Sequence, residues 1–468
     1  MRNKFLLMFL ILIVMQSFLL WLDHHPMFFF GDSASYIWTA VSGWLPSDRS
    51  FVYGYFIRLV SVTTKSLQTL VIVQTLLAVS ISLVSAHLLI RYFAMHHWIA
   101  FGTACVMTLE PLQLLYTRYV MTETLALFLF VFYVWVALQY LDDIRIKWLL
   151  LMQFLATVMI CIRFAFIPFS WISAFAIPVI AVATAQQTRM TFKVKVLHVC
   201  LSVFLIFAFT TIYKHMNGYL HHESPAYSYD DGFFALGYVI PIVQASDFPD
   251  QALGEQVLRN ARFPLADRRA RGAHRWMEGG VVWYLKIIER NHIKANQIAY
   301  KTALHAVISK PFAFLHLGWQ SFTDHFDSSY FRMYMETELG NRRLDDSFLH
   351  LIKAKFRYPA DASSAMDLKS LTGRYFLLSQ YWLQGLLFVP LLWIILTVLA
   401  RDADLRRKNI MFSVWALIVF AEAIFFIERP VPRYFHIMAW FACMAIGVGV
   451  SRFLTKDFMA LCRNSVGK

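Results

Sequence analysis

Apolar residues in this chain run on for far longer than a soluble helix or strand requires. Runs of about 18 or more recur from end to end. Ten can be set out, at 5–22, 67–90, 98–115, 122–140, 148–165, 167–184, 196–213, 379–400, 410–427 and 433–453. In water such runs would aggregate, whereas in lipid each is long enough to span. They are continuous rather than alternating, so they predict helices, one of the two forms that satisfy every backbone group in a bilayer. Arg163, Pro168 and Pro178 interrupt the pair 148–165 and 167–184, which leaves open whether it makes two full crossings. The pattern predicts an all-α integral membrane protein.

Two long polar segments break the runs. The first, 23–66, holds "SYIWTAVSGWL" and "RSFVYGYFIRLVSV", which mix apolar and polar residues at near-helical spacing. They are too short and too polar to span, and they read as two helices in the membrane interface, where Trp and Tyr are favoured. "WLPSDRS" is the turn between them. The second segment, 214–378, carries amphipathic stretches such as "PFAFLHLGWQSFTDHF" and predicts a mostly helical cap, with "DDGFFALGY" and "RRLDD" as turns. The organisation is then an N-terminal membrane module 1–213, the segment 214–378, and a C-terminal group of helices 379–468.

Composition agrees with this division. The chain is 59% hydrophobic and only 15% charged, where a soluble domain carries about 25%. The formal charge is +14, but the basic residues are spread along the chain with no stripe or recognition motif, which argues against nucleic acid and for membrane lipids or a phosphate-bearing substrate. Many basic residues flank the apolar runs. With the N-terminus inside, Arg2, Lys4, Arg91, Arg145, Lys147, Lys193, Arg406, Arg407 and Lys468 share the inner side. The positive-inside rule puts both termini in the cytoplasm and both long polar segments outside. The five cysteines form no disulfide framework or metal spacing. No N-x-S/T sequon occurs, which suits a bacterial inner membrane and a periplasmic outer face. The first run lacks a small-residue cleavage site and reads as an uncleaved helix.

Chemistry gathers where the runs end. Asp32, in "FFFGDSASYIW", stands just beyond the first run with no base beside it. Asp and Ser are good helix caps, so either Asp32 or Ser33 can start the following helix; if Ser33 does, Asp32 is free. Glu123, in "LYTRYVMTETLALFLF", starts the fourth run on the same side, where the helix dipole favours an acid. Ionisable groups at this depth are costly and usually functional. Two carboxylates at a water–lipid boundary suit a general base with its partner, or a clamp for a divalent cation; no metal ligand set is assigned. Arg163, Arg433, Arg49 and Arg429 share that side and would together form an anion site, since a guanidinium grips phosphate with two prongs. Tyr36, Arg58, Arg118 and Tyr434 lie close by in sequence, as acceptor-side or interfacial residues. The adjacent pairs His24-His25 and His221-His222 diverge by about 100° on a helix and rarely chelate.

Taken together, the acid in "GDS" after the first span, "LYTRYVMTETLALFL" at the third and fourth, the Arg of "CIRFAFIPF" and "ERPVPRYF" before the last span resemble the GT-C glycosyltransferases. The likeness is to the branch of the protein O-mannosyltransferases and the lipid A aminoarabinose transferase. It covers spans one to four and the last span; 214–378 carries no matching motif. The resemblance implies an enzyme of the cell envelope that moves a sugar from a polyprenyl-phosphate donor, such as undecaprenyl phosphate, to a glycan or glycolipid acceptor. It places Asp32 as the candidate general base, Glu123 as the acid that orients the acceptor or assists the base, and Arg163 and Arg433 near the donor phosphate. The chain departs from the pattern where Ser33 follows Asp32, so the first loop has no Asp-Glu pair.

Two other classes share parts of this pattern. An O-antigen ligase or polymerase also joins many spans to a large outer loop, but would not need the first-loop acid. A lipid-linked substrate flippase typically has related halves and helices broken at the midplane. Here the halves are unlike and the charges collect on one side.

Overall fold

The computed structural model describes residues 2–29, 32–184, 191–339, 344–358, 370–427 and 429–466. Among them every regular element is a helix, and strand pairing is limited to one parallel bridge between Met27 and Tyr119. In chain order the first ten are α1 (Arg2–Leu22), α2 (Asp32–Ser42), α3 (Val52–Ile57), α4 (Leu67–Tyr92), α5 (His97–Thr108), α6 (Pro111–Tyr116), α7 (Glu123–Asp142), α8 (Ile146–Ile162), α9 (Phe166–Thr184) and α10 (Phe192–His221). The middle segment holds α11 (Asp231–Val239), α12 (Gln251–Asn260), α13 (Arg271–Trp276), α14 (Val281–Glu289), α15 (His292–Ser309), α16 (Pro311–Asp324), α17 (Ser328–Glu338), α18 (Asp346–Phe356) and α19 (Leu371–Leu378). The chain closes with α20 (Gln380–Gly385), α21 (Val389–Val398), α22 (Ala403–Phe425) and α23 (His436–Val466).

Eight of the ten apolar runs form helices long and apolar enough to cross a membrane: Asn3–Leu22, Leu67–Tyr92, Glu123–Asp142, Phe166–Ala183, Phe192–His221, Gln380–Val398, Ala403–Phe425 and Pro432–Leu454. The protein is an all-α membrane protein. The run at 98–115 is split, because Glu110 precedes Pro111 and takes an extended conformation (ψ 132°), as the proline ring demands. The run at 148–165 is a 17-residue helix that ends at Ile162, where Arg163 turns extended (φ −152°). Pro168 sits in the first turn of α9, where its missing N–H costs nothing. One reading is corrected: "DDGFFALGY" reads as a turn in sequence but nearly all of it folds as α11, whose apolar side chains fill a core with those of α14 and α15. "RRLDD" falls partly outside the described residues; its Asp345 is the N-cap of α18.

A large core joins the span helices, and a smaller one lies within the middle segment around Phe233, Leu236, Val257 and Leu285. Two helices do occupy the first polar segment, and they cross closely. A Cβ on Gly54 would come within 2.4 Å of Thr39, so only glycine permits this approach of α3 to α2. The crossing fixes the turn that carries Asp48 and Arg49.

Candidate functional site

The loop after α1 and the turn before α7 are held side by side by backbone bonds. Met27 donates its N–H to Arg118 O (2.9 Å), and Val120 donates to Met27 O (2.9 Å). Ser33 completes the tie: its hydroxyl accepts from the Phe29 N–H (2.8 Å) and donates to Val120 O (3.0 Å). These bonds bring the starts of α2 and α7 to one place, so that Asp32 and Glu123 enter the same cavity, each at a helix N-terminus where negative charge is favoured.

Neither carboxylate stands alone there. Asp32 Oδ1 takes a bond from Arg49 Nη1 (2.6 Å) and Oδ2 one from Arg433 Nη1 (2.5 Å). Arg49 also grips Asp48 through Nη2 (2.5 Å) and lies over the Tyr36 ring at 5.6 Å. Glu123 Oε1 is paired with Arg163 Nη1 (3.0 Å), while among the described residues Oε2 has only a long bond from the Thr122 hydroxyl (3.4 Å). The Tyr434 ring serves both distal arginines, with Arg163 at 4.8 Å and Arg433 at 5.2 Å. Arg433 also lies over Phe29 at 4.7 Å. Burial alone would push the Asp32 carboxyl up, but Arg49 and Arg433 outweigh it and hold the group well below the usual carboxylate range. Burial pushes the Tyr36 hydroxyl up, so it stays a neutral donor at ordinary pH.

The cavity measures about 620 Å³. Its floor is this charged group, Asp32, Asp48, Glu123, Arg49, Arg163 and Arg433, three acids balanced by three arginines. Its walls between spans are apolar, from Ala126, Phe166, Ile167, Val419 and Ile437. Its roof comes from the middle segment, with Asp231, Phe234, Tyr238, Arg275 and Trp276. Arg275 stacks on Phe234 (3.7 Å) and Trp276 (4.3 Å). Asp231 accepts from Asn296 Nδ2 (2.8 Å) and from the Gly232 N–H (2.9 Å). Glu422 also lines the cavity, accepting the Phe169 N–H (3.2 Å), as does His436, bonded to Gln113 Oε1 (3.0 Å). Among the described residues no three His, Cys, Asp or Glu side chains converge as a metal site requires. A divalent cation bound by both oxygens of Asp32 would have to displace two guanidiniums.

Of the residues singled out in sequence, Asp32, Tyr36, Arg49, Glu123, Arg163, Arg433 and Tyr434 line this cavity. Arg58, Arg118 and Arg429 do not, and each has another role. Arg118 is buried against Asp23 and the Met27 sulfur, locking the backbone bridge from behind. Arg58 donates to Ala40 O (2.6 Å) and Val41 O (3.4 Å), satisfying carbonyls at the end of α2. Arg429 lies against Gly272 and over the Tyr334 ring (5.8 Å). Sequence reasoning missed Asp48, Asp231, Arg275, Glu422 and His436. Asp48 had a signal in its place beside Arg49, and Glu422 in being an acid inside an apolar run; Asp231 and Arg275 had none. No family model matches the chain, and no curated protein or solved structure matches it either.

Proposed function

We propose that the protein is a membrane glycosyltransferase of the GT-C type, taking a sugar from a polyprenyl-phosphate donor to a lipid-linked glycan or other envelope acceptor. The observation that carries the reading is the cavity itself: a carboxylate–arginine floor joined to apolar walls between spans, which suits a substrate with an anionic head and a long apolar tail. The donor phosphate would lie on Arg163 and Arg433, with Arg49 beside them, and the tail along the apolar wall. The acceptor hydroxyl gives its proton to Asp32 as its oxygen bonds to the anomeric carbon. The bond from that carbon to the phosphate oxygen breaks with inversion, and the leaving phosphate keeps the electron pair. The arginines stabilise the charge it gains more in the transition state than before it. A carboxylate held by two guanidiniums is a weak base. The arriving phosphate competes for Arg49 and Arg433 and so frees Asp32 when the acceptor needs it.

The helix ends support ten crossings in this reading. Lys4 meets His97 (2.8 Å) and Gln16 meets Thr108 O (3.5 Å), so α5 runs beside α1 in the same direction and α6 completes its crossing. At the far end of α7, Asp142 meets Arg407 (3.6 Å). That basic end is the cytoplasmic side by the positive-inside rule, which puts both termini in the cytoplasm and the cavity in the periplasm of a bacterial inner membrane.

The test is sugar transfer from a polyprenyl-phosphate donor by Asp32→Asn protein in nanodiscs. Loss of a general base costs about 10²–10⁴-fold in turnover. Donor binding and thermal unfolding are measured alongside, since Asn forfeits two charge-assisted bonds. Wild-type turnover by the variant would end the assignment of Asp32 and favour a ligase or flippase.

A further inference from the structure

We infer that α15 and α16 lie in the apolar layer of the membrane, on the cavity side, with one face of the pair against acyl chains and the other closing the cavity. The middle segment is thus not wholly a cap in water. This does not depend on the sugar-transfer reading.

The first observation is a stripe. Phe312 (84% exposed), Leu315 and Trp319 (60% exposed) recur at helical spacing along α16, and Phe326 extends the line just past its end. On α15, Ile308 is 69% exposed and lies outside the cavity, while Tyr300 and Leu304, part-exposed as well, line it. A water-facing surface rarely gathers so many large apolar side chains. Some polar groups share the exposed side, Lys301 and the His316–Gln320 pair (3.0 Å) among them, and others are engaged within the protein. Asp324 is buried under Arg268 (2.8 Å) and Arg269 (3.0 Å), and Lys310, between the helices, reaches Asp247 (2.5 Å) and Ile242 O (2.9 Å).

The second observation is depth. α16 packs directly on α22: a Cβ on Gly318 would stand 2.1 Å from the Phe425 ring, and Phe314 meets that ring at 5.3 Å. Further along, Phe322 meets Phe420 at 6.0 Å, and Phe326 meets Phe388 at 5.9 Å. Phe420 lies about 7 Å inside the end of α22, and Phe388 about 12 Å inside the start of the Gln380–Val398 span, at 1.5 Å rise per residue. So α16 runs beside the end portions of two spans, and its own C-terminal end is tied to one of them, where Gln384 donates to His325 O (2.8 Å) and Gln380 to Ser328 O (3.2 Å).

The third observation selects the occupant. The stripe runs on into Phe388 and Leu391, exposed side chains of a helix long and apolar enough to span, so the same lipid that covers that helix covers α16. The pair lines the cavity through Tyr300, Ala303, Leu304, Val307 and Phe314. These two helices are therefore the partition between lipid and cavity. An amphiphile that enters from the bilayer passes along them rather than through water.

The test places a nitroxide at Leu315→Cys and Trp319→Cys in full-length protein whose native cysteines are replaced. The protein is held in nanodiscs, and collisions with oxygen and with a water-soluble nickel chelate are compared. Leu391→Cys serves as the lipid reference and Met277→Cys as the water reference. Oxygen should dominate at 315 and 319 as at 391, with the order reversed at 277. Nickel access at 315 and 319 equal to that at 277 would put the pair in water and overturn the inference. Low access to both probes would mean that a second copy covers the stripe, which also overturns it. Hydroxyl-radical footprinting of the unmodified protein needs no substitution: Trp319 and Phe312 should stay unmodified in nanodiscs while Trp276 and Met277 react, and equal modification would reject the membrane placement.

Discussion

Two of the carboxylates on the cavity floor, Asp32 and Glu123, each stand at the start of a helix, yet they are held in different ways. Among the described residues Glu123 is answered by one arginine, Arg163, from the next helix connection, and its second oxygen has only a 3.4 Å contact with Thr122. Asp32 is answered at both oxygens, by Arg49 from its own loop and by Arg433 from the start of the last span, 401 residues away. Asp32 is a knot between the two ends of the chain, whereas Glu123 is a local pair. A knotted carboxylate is a poor base until something loosens it; a half-engaged one needs less. The difference identifies the arginines as the movable parts, and it makes the choice of proton acceptor a question for experiment.

The largest effect is expected at Arg433, because it alone touches both Asp32 and the Tyr434 ring shared with the other arm. Arg433→Ala should lower turnover by about 10²–10³-fold, the usual cost of losing one preorganised charge-stabilising donor. Arg163→Ala should cost less. Equal losses from the two, measured as kcat in nanodiscs with excess donor, would mean that the arms are equivalent and that the knot has no special role.

A pH profile separates the proton acceptors. In the free protein the Asp32 carboxyl is held well below its ordinary range, so it is already deprotonated and kcat/KM should show no acid limb above pH ~4. In the proposed donor complex the arginines would turn to phosphate, burial would then dominate, and the carboxyl would move up. A base must be deprotonated to work, so kcat should fall as pH falls through that higher value, with its acid limb displaced upward by about one unit or more relative to kcat/KM. In Asp32→Asn that limb should vanish. If it survives in Asp32→Asn and vanishes in Glu123→Gln, Glu123 takes the proton and Asp32 only positions the arginines.

Much of this floor was legible in sequence because each part stands where an apolar run ends, and run ends on one side must meet. That logic found Asp32, Glu123, Arg163 and Arg433. It could not tell an arginine facing a cavity from one engaged elsewhere, so Arg118, paired with Asp23, and Arg58, bonded to carbonyls, looked the same as Arg433. The roof was out of reach for a different reason. Asp231 and Arg275 reach the cavity through the tertiary packing of short helices whose local pattern does not say what they cover. The break inside the run at 98–115 was hidden for a local cause: Pro111 forces Glu110 out of the helix within a run that hydropathy alone reads as continuous.

The smallest effect sharpens the comparison from behind. Glu338, at the end of α17, is fully buried; the Tyr116 hydroxyl donates to its Oε2 (3.1 Å), and its Oε1 has no partner among the described residues. Burial raises its carboxyl from the ordinary 4.5 to about 7; Arg433 opposes the rise, and Glu123 and Asp32 add to it. Glu338 therefore holds a proton in the folded protein that the unfolded chain releases between these two values. Stability should fall as pH rises through that window and level off above about 7, a total of about 3 kcal/mol. Glu338→Gln keeps an acceptor for Tyr116 but cannot ionise, so it should match the wild type near pH 4, gain on it steadily, and be more stable by up to about 3 kcal/mol at pH 8. Denaturant unfolding of both proteins at the two pH values measures this. Equal pH slopes would mean that Glu338 is already ionised. Arg433 would then answer to two carboxylates rather than to Asp32 alone, and the asymmetry between the arms would shrink.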